Sequence, residues 1–278
     1  SRALFEEIVS ADSRGHVICA GDSKDVIEFY GRTYIPDRTK GFVRFKISRA
    51  FPFRNVQKQG IHPRVIAKSF KSLQFQNLNH EHMLVAYNRK ENSQDKILGT
   101  VVDVHFPSEP VTGWKILPPD QSPYIEAVAS YAKMARGMDT IVGRHKNGRH
   151  RYSVSMEVSY PYKDCGFAIA LDGKKPTIGK DFTPDDFIEA GYEYIPWSEC
   201  DDELLSCFSI KANRVVKDWK GREVIQMLGG LNGEIHYNGV AICQYGAEPE
   251  AEILQLAASN TEETVSRVLS PLRRLIPS

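Results

Sequence analysis

Two short segments carry the residues best suited to bond-breaking chemistry. NLNHEH places His80 between Asn79 and Glu81, and RYSVSMEVSY carries Ser155. Nucleophilic hydrolysis needs a hydroxyl held against a base, a third group that orients the base, and donors for the developing oxyanion. A histidine and a serine on two strands of one sheet can meet although 155 − 80 = 75 positions separate them. Ser153 competes with Ser155, because alternation sets Ser153, Ser155, Glu157 and Ser159 on one face and Val154, Met156 and Val158 on the other. A valine precedes Ser155, which favours it. His82, two positions after His80, invites a metal reading, but no carboxylate cluster stands at a recognisable spacing, so neither a metal nor a cofactor is expected.

The elements that would position these groups can be read in outline. Up to about residue 60 the β-prone runs HVICAG and KGFVRFKIS are separated by turn signals, and read as edge strands or an amino-terminal arm. Val65, Ile66, Phe70 and Leu73 recur at helical spacing after Pro63, which suits a first helical position. NLNHEHMLVAY and ILGTVVDVHF read as two strands joined by a polar loop. Ser122 as N-cap, Pro123 behind it and Gly137 at the end predict a helix from Ser122 to Arg136. GEIHYNGVAICQYG reads as a strand pair or one bent strand, and PEAEILQLAAS and TEETVSRVLSPLRRLI carry helical periodicity. Between about residues 161 and 230 the pieces become short and heterogeneous, as in an insertion or lid. The expected division is therefore a segment 1–60 and a domain 61–278 with that insertion.

The order of these segments resembles herpesvirus assemblins and tailed-phage prohead proteases. In those families Asn-x-Asn-His precedes an Ile/Val-Gly-x-Val strand, as NLNHEH precedes ILGTVV here. An apolar residue, Ser and another apolar residue follow later, matched by Val154-Ser155-Met156, and NGVAICQYGAEPEAEIL is similar to their third conserved strand and its sequel. The similarity spans roughly residues 60–160 and 232–258. It implies an α+β fold, a mostly antiparallel β-barrel surrounded by helices, and a serine endopeptidase that cleaves scaffold and major capsid proteins inside a procapsid in the host cytoplasm. It also implies His80 as base and Ser155 as nucleophile, with self-cleavage and a homo-oligomer within expectation. The third catalytic group of assemblins aligns with Gly239, which has no side chain. His236 is the chosen substitute, with Glu234, Asp103 and Glu157 as alternatives. A catalytically inactive virion protein that keeps the protease fold is the competing expectation.

Composition narrows the rest. Of 278 residues, 36 are basic and 35 acidic, so net charge gives no argument for nucleic acid or an anionic membrane. No run of about 18 apolar residues exists, and SRALFEEIVS carries glutamates where a secretory leader would be apolar, so a soluble intracellular protein is expected. The five cysteines are scattered with no CxxC pair, and read as idle thiols rather than a disulfide or zinc framework. Arg144, His145, Lys146, Arg149, His150 and Arg151 form a basic loop or a cationic rim. Trp197 with Glu199, Asp201, Asp202 and Glu203 reads as a surface-loop anchor or an acidic lid.

Overall fold

Apolar residues alternating along seven strands generate the main sheet of the computed structural model. The described residues are 26–81, 97–107, 122–138, 141–142, 152–171, 187–188, 190–243 and 251–258. In β3 (Lys40–Ile47) Val43, Phe45 and Ile47 point into the core while Arg44 and Lys46 point away. The same logic holds for β5 (Asn77–His80), β6 (Ile97–His105), β7 (Ile125–Ala132), β8 (Ser153–Ser159), β14 (His236–Cys243) and β15 (Ile253–Ala257). Their order is β15-β3-β7-β6-β5-β14-β8, antiparallel throughout except for the parallel pair β5 and β14. The sheet curls into a half-barrel. Its edges are stitched together at Glu252, whose carbonyl accepts from Lys46 N in β3, and which bridges Ser153 in β8.

A short hairpin, β1 (Ile27–Phe29) and β2 (Arg32–Tyr34), packs on the outer side against Val128 and Ala257. Arg32 and the Tyr34 hydroxyl both bond the Asp103 carboxylate, at 3.0 and 2.8 Å, and pin the hairpin to β6. A second sheet runs β10 (Tyr192–Pro196), β9 (Gly166–Ala170), β13 (Val224–Leu228) and β4 (Gln59–Ile61). Ala168, Tyr192, Ile225 and Met227 of that sheet share the main core with the half-barrel. The remaining pair, β11 (Phe208–Ser209) with β12 (Arg214–Val215), covers its other side.

The expected ring of helices around the barrel is corrected by these observations: the protein is mostly β. Among the described residues the longest helical stretch is α1 (Pro63–Ser69), continued by a tight turn over Phe70–Leu73, and α2 (Asp202–Leu205) is one turn long. The first of these is where Pro63 and the apolar spacing put it. The helix expected from Ser122 to Arg136 is strand β7. Pro123 gives its carbonyl to Ala50 N, and every residue from Ile125 to Ala132 pairs with β3, so the capping signals are spent on tertiary contacts. β15 reads as helix for a different reason. A bulge between Ile253 and Gln255 breaks its alternation, so buried Ile253, Leu256 and Ala257 fall at i, i+3 and i+4. β3, expected in an arm, is an interior strand of the main sheet, and the 161–230 stretch supplies most of the second sheet. TEETVSRVLSPLRRLI lies outside the described residues. No described helix is long and apolar enough to cross a membrane.

Candidate active site

The three motif segments arrive on three adjacent strands, β5, β14 and β8. Register fixes which side chains share a face. Asn77, Gly239 and Glu157 form one row across the three strands and Asn79, Ala241 and Ser155 the next on the same face, while Leu78, Val240 and Met156, and then His80, Ile242 and Val154, form the rows of the opposite face. Leu78, Val240, Ile242 and Val154 belong to the main core, with Met156 packed against it, so the face carrying Asn77, Asn79, Ser155 and Glu157 is the outer one.

Ser155 sits on that outer face, 5% exposed, and among the described residues its hydroxyl makes no hydrogen bond. Ser153, its rival, donates to the Ala251 carbonyl at 3.1 Å and helps close the barrel edge. The floor beside Ser155 is flat, because β14 presents only Gly239 and Ala241 there. A Cβ on Gly239 would fall 2.9 Å from Glu157 Oε2 and 3.3 Å from Asn79 Nδ2, so the Glu157 carboxylate fills the space a side chain at 239 would take. Asn79 Nδ2 donates to that carboxylate at 3.3 Å. Asn79 is 1% exposed, and its Oδ1 is buried with no hydrogen-bond partner among the described residues. An orphaned buried acceptor is costly, so a donor brought to this oxygen would stabilise the arrangement.

His80 is placed differently. It pairs with Ile242, and the following Glu81 N donates to the Ile242 carbonyl at 3.0 Å, a regular parallel ladder. The imidazole therefore leaves on the inner side, where its Nδ1 lies 3.3 Å from the position of a Cβ on Gly137. The register does not set His80 against Ser155: β14 stands between them and they leave opposite faces. His236, the chosen third group, opens β14 beside Ser159, exposed and six positions from Ile242, about 20 Å along the strand. Glu234 is exposed ahead of β14, and Asp103 is occupied by the β1–β2 hairpin. Of the four alternatives, Glu157 is the one on the face and beside the row of Ser155.

The chain matches no family model, no curated protein and no solved structure.

The other chemistry-bearing residues resolve as follows. Cys243 lies one row beyond Ser155, but burial, and next the charge of Glu81, push its thiol up to about 11, so it stays protonated and is a poor rival nucleophile. Cys165 and Cys200 are likewise pushed up to about 11, chiefly by burial. No metal-ligand cluster occurs among the described residues. His82 and the basic run from Arg144 to Arg151 lie outside them. Trp197 anchors the second sheet: its ring stacks on Phe167 at 5.6 Å and meets Phe208 edge-on at 5.5 Å, while Asp201 caps α2 through Leu204 N.

What sequence reasoning underweighted is the Asn79–Glu157 contact. Alternation already put Glu157 on the face of Ser155. The absence of a side chain at Gly239 is what lets that carboxylate cross β14.

Proposed function

We propose that this chain is a serine endopeptidase of the capsid-maturation kind, with Ser155 as its nucleophile and scaffold and capsid proteins as substrates. The observation that carries the reading is the meeting of the three motif segments on adjacent strands, with Ser155 buried on the face that also carries Asn79 and Glu157. In the reaction Ser155 Oγ attacks the scissile carbonyl carbon as its proton passes to the base, His80. Collapse of the tetrahedral intermediate expels the amine, which takes that proton, and water then releases the acyl group from Ser155. For His80 to serve, the last residue of β5 must turn its imidazole from Gly137 to the outer face. Hydrogen bonds of catalytic groups often tighten only when substrate is bound.

The orientation of His80 supports a second reading, a mostly β virion component without catalytic activity. Intact-mass analysis of the purified chain after prolonged incubation at high concentration separates the two. Fragments that appear in the wild type and vanish in Ser155→Ala and in His80→Ala are expected; fragments that persist in Ser155→Ala, or a wild type that stays whole against a scaffold-derived peptide library, overturn the proposal.

A further inference from the structure

We infer that Asn79, held by Glu157 across Gly239, is the positioning group of this site and does the work of the side chain missing at 239. The inference rests on the serine endopeptidase reading and deepens it. An ionised carboxylate only accepts hydrogen bonds, so its contact with Asn79 fixes the amide with the NH2 toward Glu157 and the Oδ1 away from it. That Oδ1 is the buried, unpartnered acceptor of the outer face, and Asn79 is the residue immediately before His80.

An imidazole turned toward Ser155 brings an N–H to this oxygen. Accepting it leaves the other ring nitrogen unprotonated and aimed at the Ser155 hydroxyl, which is the tautomer a general base needs. The arrangement depends on glycine at 239. Any larger residue would push the carboxylate away, since the Cβ position lies only 2.9 Å from Glu157 Oε2. Glu157 acts through Asn79, as a positioning residue.

Among the described residues, the charged and titratable groups on the strand segments flanking the turned imidazole are Glu157 on β8, Glu81 next to His80 in sequence and Cys243 on β14, the last held as a neutral thiol. A nearby carboxylate favours imidazolium and raises the pKa of the base, and acylation needs the neutral ring. Removing the charge of Glu157 while keeping its hydrogen-bonding shape therefore lowers the pH at which acylation switches on.

The test is the rate of labelling of the full chain by a fluorophosphonate probe, followed against pH, in the wild type and in Glu157→Gln, Glu157→Ala, Asn79→Ala, Ser155→Ala and His80→Ala. Glu157→Gln is expected to label within about threefold of the wild-type rate, with its midpoint shifted to lower pH. Glu157→Ala and Asn79→Ala are expected to lose on the order of 10–100-fold. Native circular dichroism and unfolding midpoints identify any variant that fails to fold, and for such a position Asn79→Ser or Glu157→Asp replaces it. Wild-type rates and midpoints in all folded Asn79 and Glu157 variants, with labelling abolished in Ser155→Ala and His80→Ala, overturn this inference and leave the protease reading standing. Labelling absent from the wild type, or unchanged in Ser155→Ala, overturns both.

Discussion

The two faces of the β5–β14–β8 unit are built from the same three strands and do opposite things. The inner face, Leu78, Val240, Ile242 and Val154, is apolar, essentially fully buried and part of the main core. The outer face at the same strands, Asn79, Gly239, Ala241, Ser155 and Glu157, is nearly as buried at Asn79 and Ser155 but is polar and leaves an acceptor unsatisfied. Burying apolar groups stabilises a fold, whereas burying polar groups without partners costs it stability. The inner face is the scaffold, and on the proposed reading the outer face carries the chemistry once His80, now on the inner side, turns toward it.

Substitutions that separate the faces sharpen this contrast. The largest effect belongs to a glycine on the scaffold. A Cβ on Gly99 would lie 1.9 Å from the Ser130 carbonyl oxygen and 2.7 Å from Tyr131 Cα, backbone atoms that cannot step aside. Gly99→Ala is expected to lose about 3 kcal/mol or more, measured by urea unfolding, or to give no folded protein. Gly239→Ala meets chiefly the movable end of Glu157, and is expected to stay within about 1 kcal/mol of the wild type while slowing acylation. Equal losses at the two glycines would break the distinction.

Next in size is the comparison of Ile242 with Ser155, one register step apart and on opposite faces. Ile242→Ala should cost about 2–5 kcal/mol in unfolding free energy. Ser155→Ala should change stability by less than about 1 kcal/mol, since among the described residues its hydroxyl makes no hydrogen bond to lose. A Ser155→Ala variant as unstable as Ile242→Ala would make Ser155 a structural residue.

The pH response of the scaffold gives a smaller, graded effect. His62 caps α1, accepting from Arg64 N at 3.1 Å through Nδ1, and is wholly buried. Burial, and next the charge of Arg64, lower its pKa to about 3. Between pH 6.5 and about 3 the unfolded chain binds a proton that the folded chain refuses, so stability falls as pH drops through that window. The slope is roughly 1.4 kcal/mol per pH unit below 6.5. His62→Asn keeps a capping acceptor and removes the titration, so its unfolding midpoint should vary less between pH 6.5 and 4.5 than that of the wild type. Identical pH profiles for the two proteins would contradict this account of His62.

How much of this was legible beforehand follows from which physics is local. The strand at Ser155 was readable because clean alternation survives wherever one face is buried. α1 was readable because Pro63 and the spacing of Val65, Ile66 and Leu73 agree with its packing. β7 was not, because alanines and good caps describe an isolated helix, and only pairing along both its edges makes it a strand. β15 was hidden by one bulge. The candidate site was half visible: residue types and the face of Ser155 come from sequence. The parallel register of β5 on β14, which turns His80 inward and brings Asn79 to Glu157, is a long-range choice that no local pattern encodes.

The most direct measurement is peptide mapping of the chain after reaction with a fluorophosphonate. The account predicts a single phosphonylated residue, Ser155, with Ser153 unmodified and no adduct in Ser155→Ala. An adduct on Ser153, or none on either serine in the folded wild type, would contradict it.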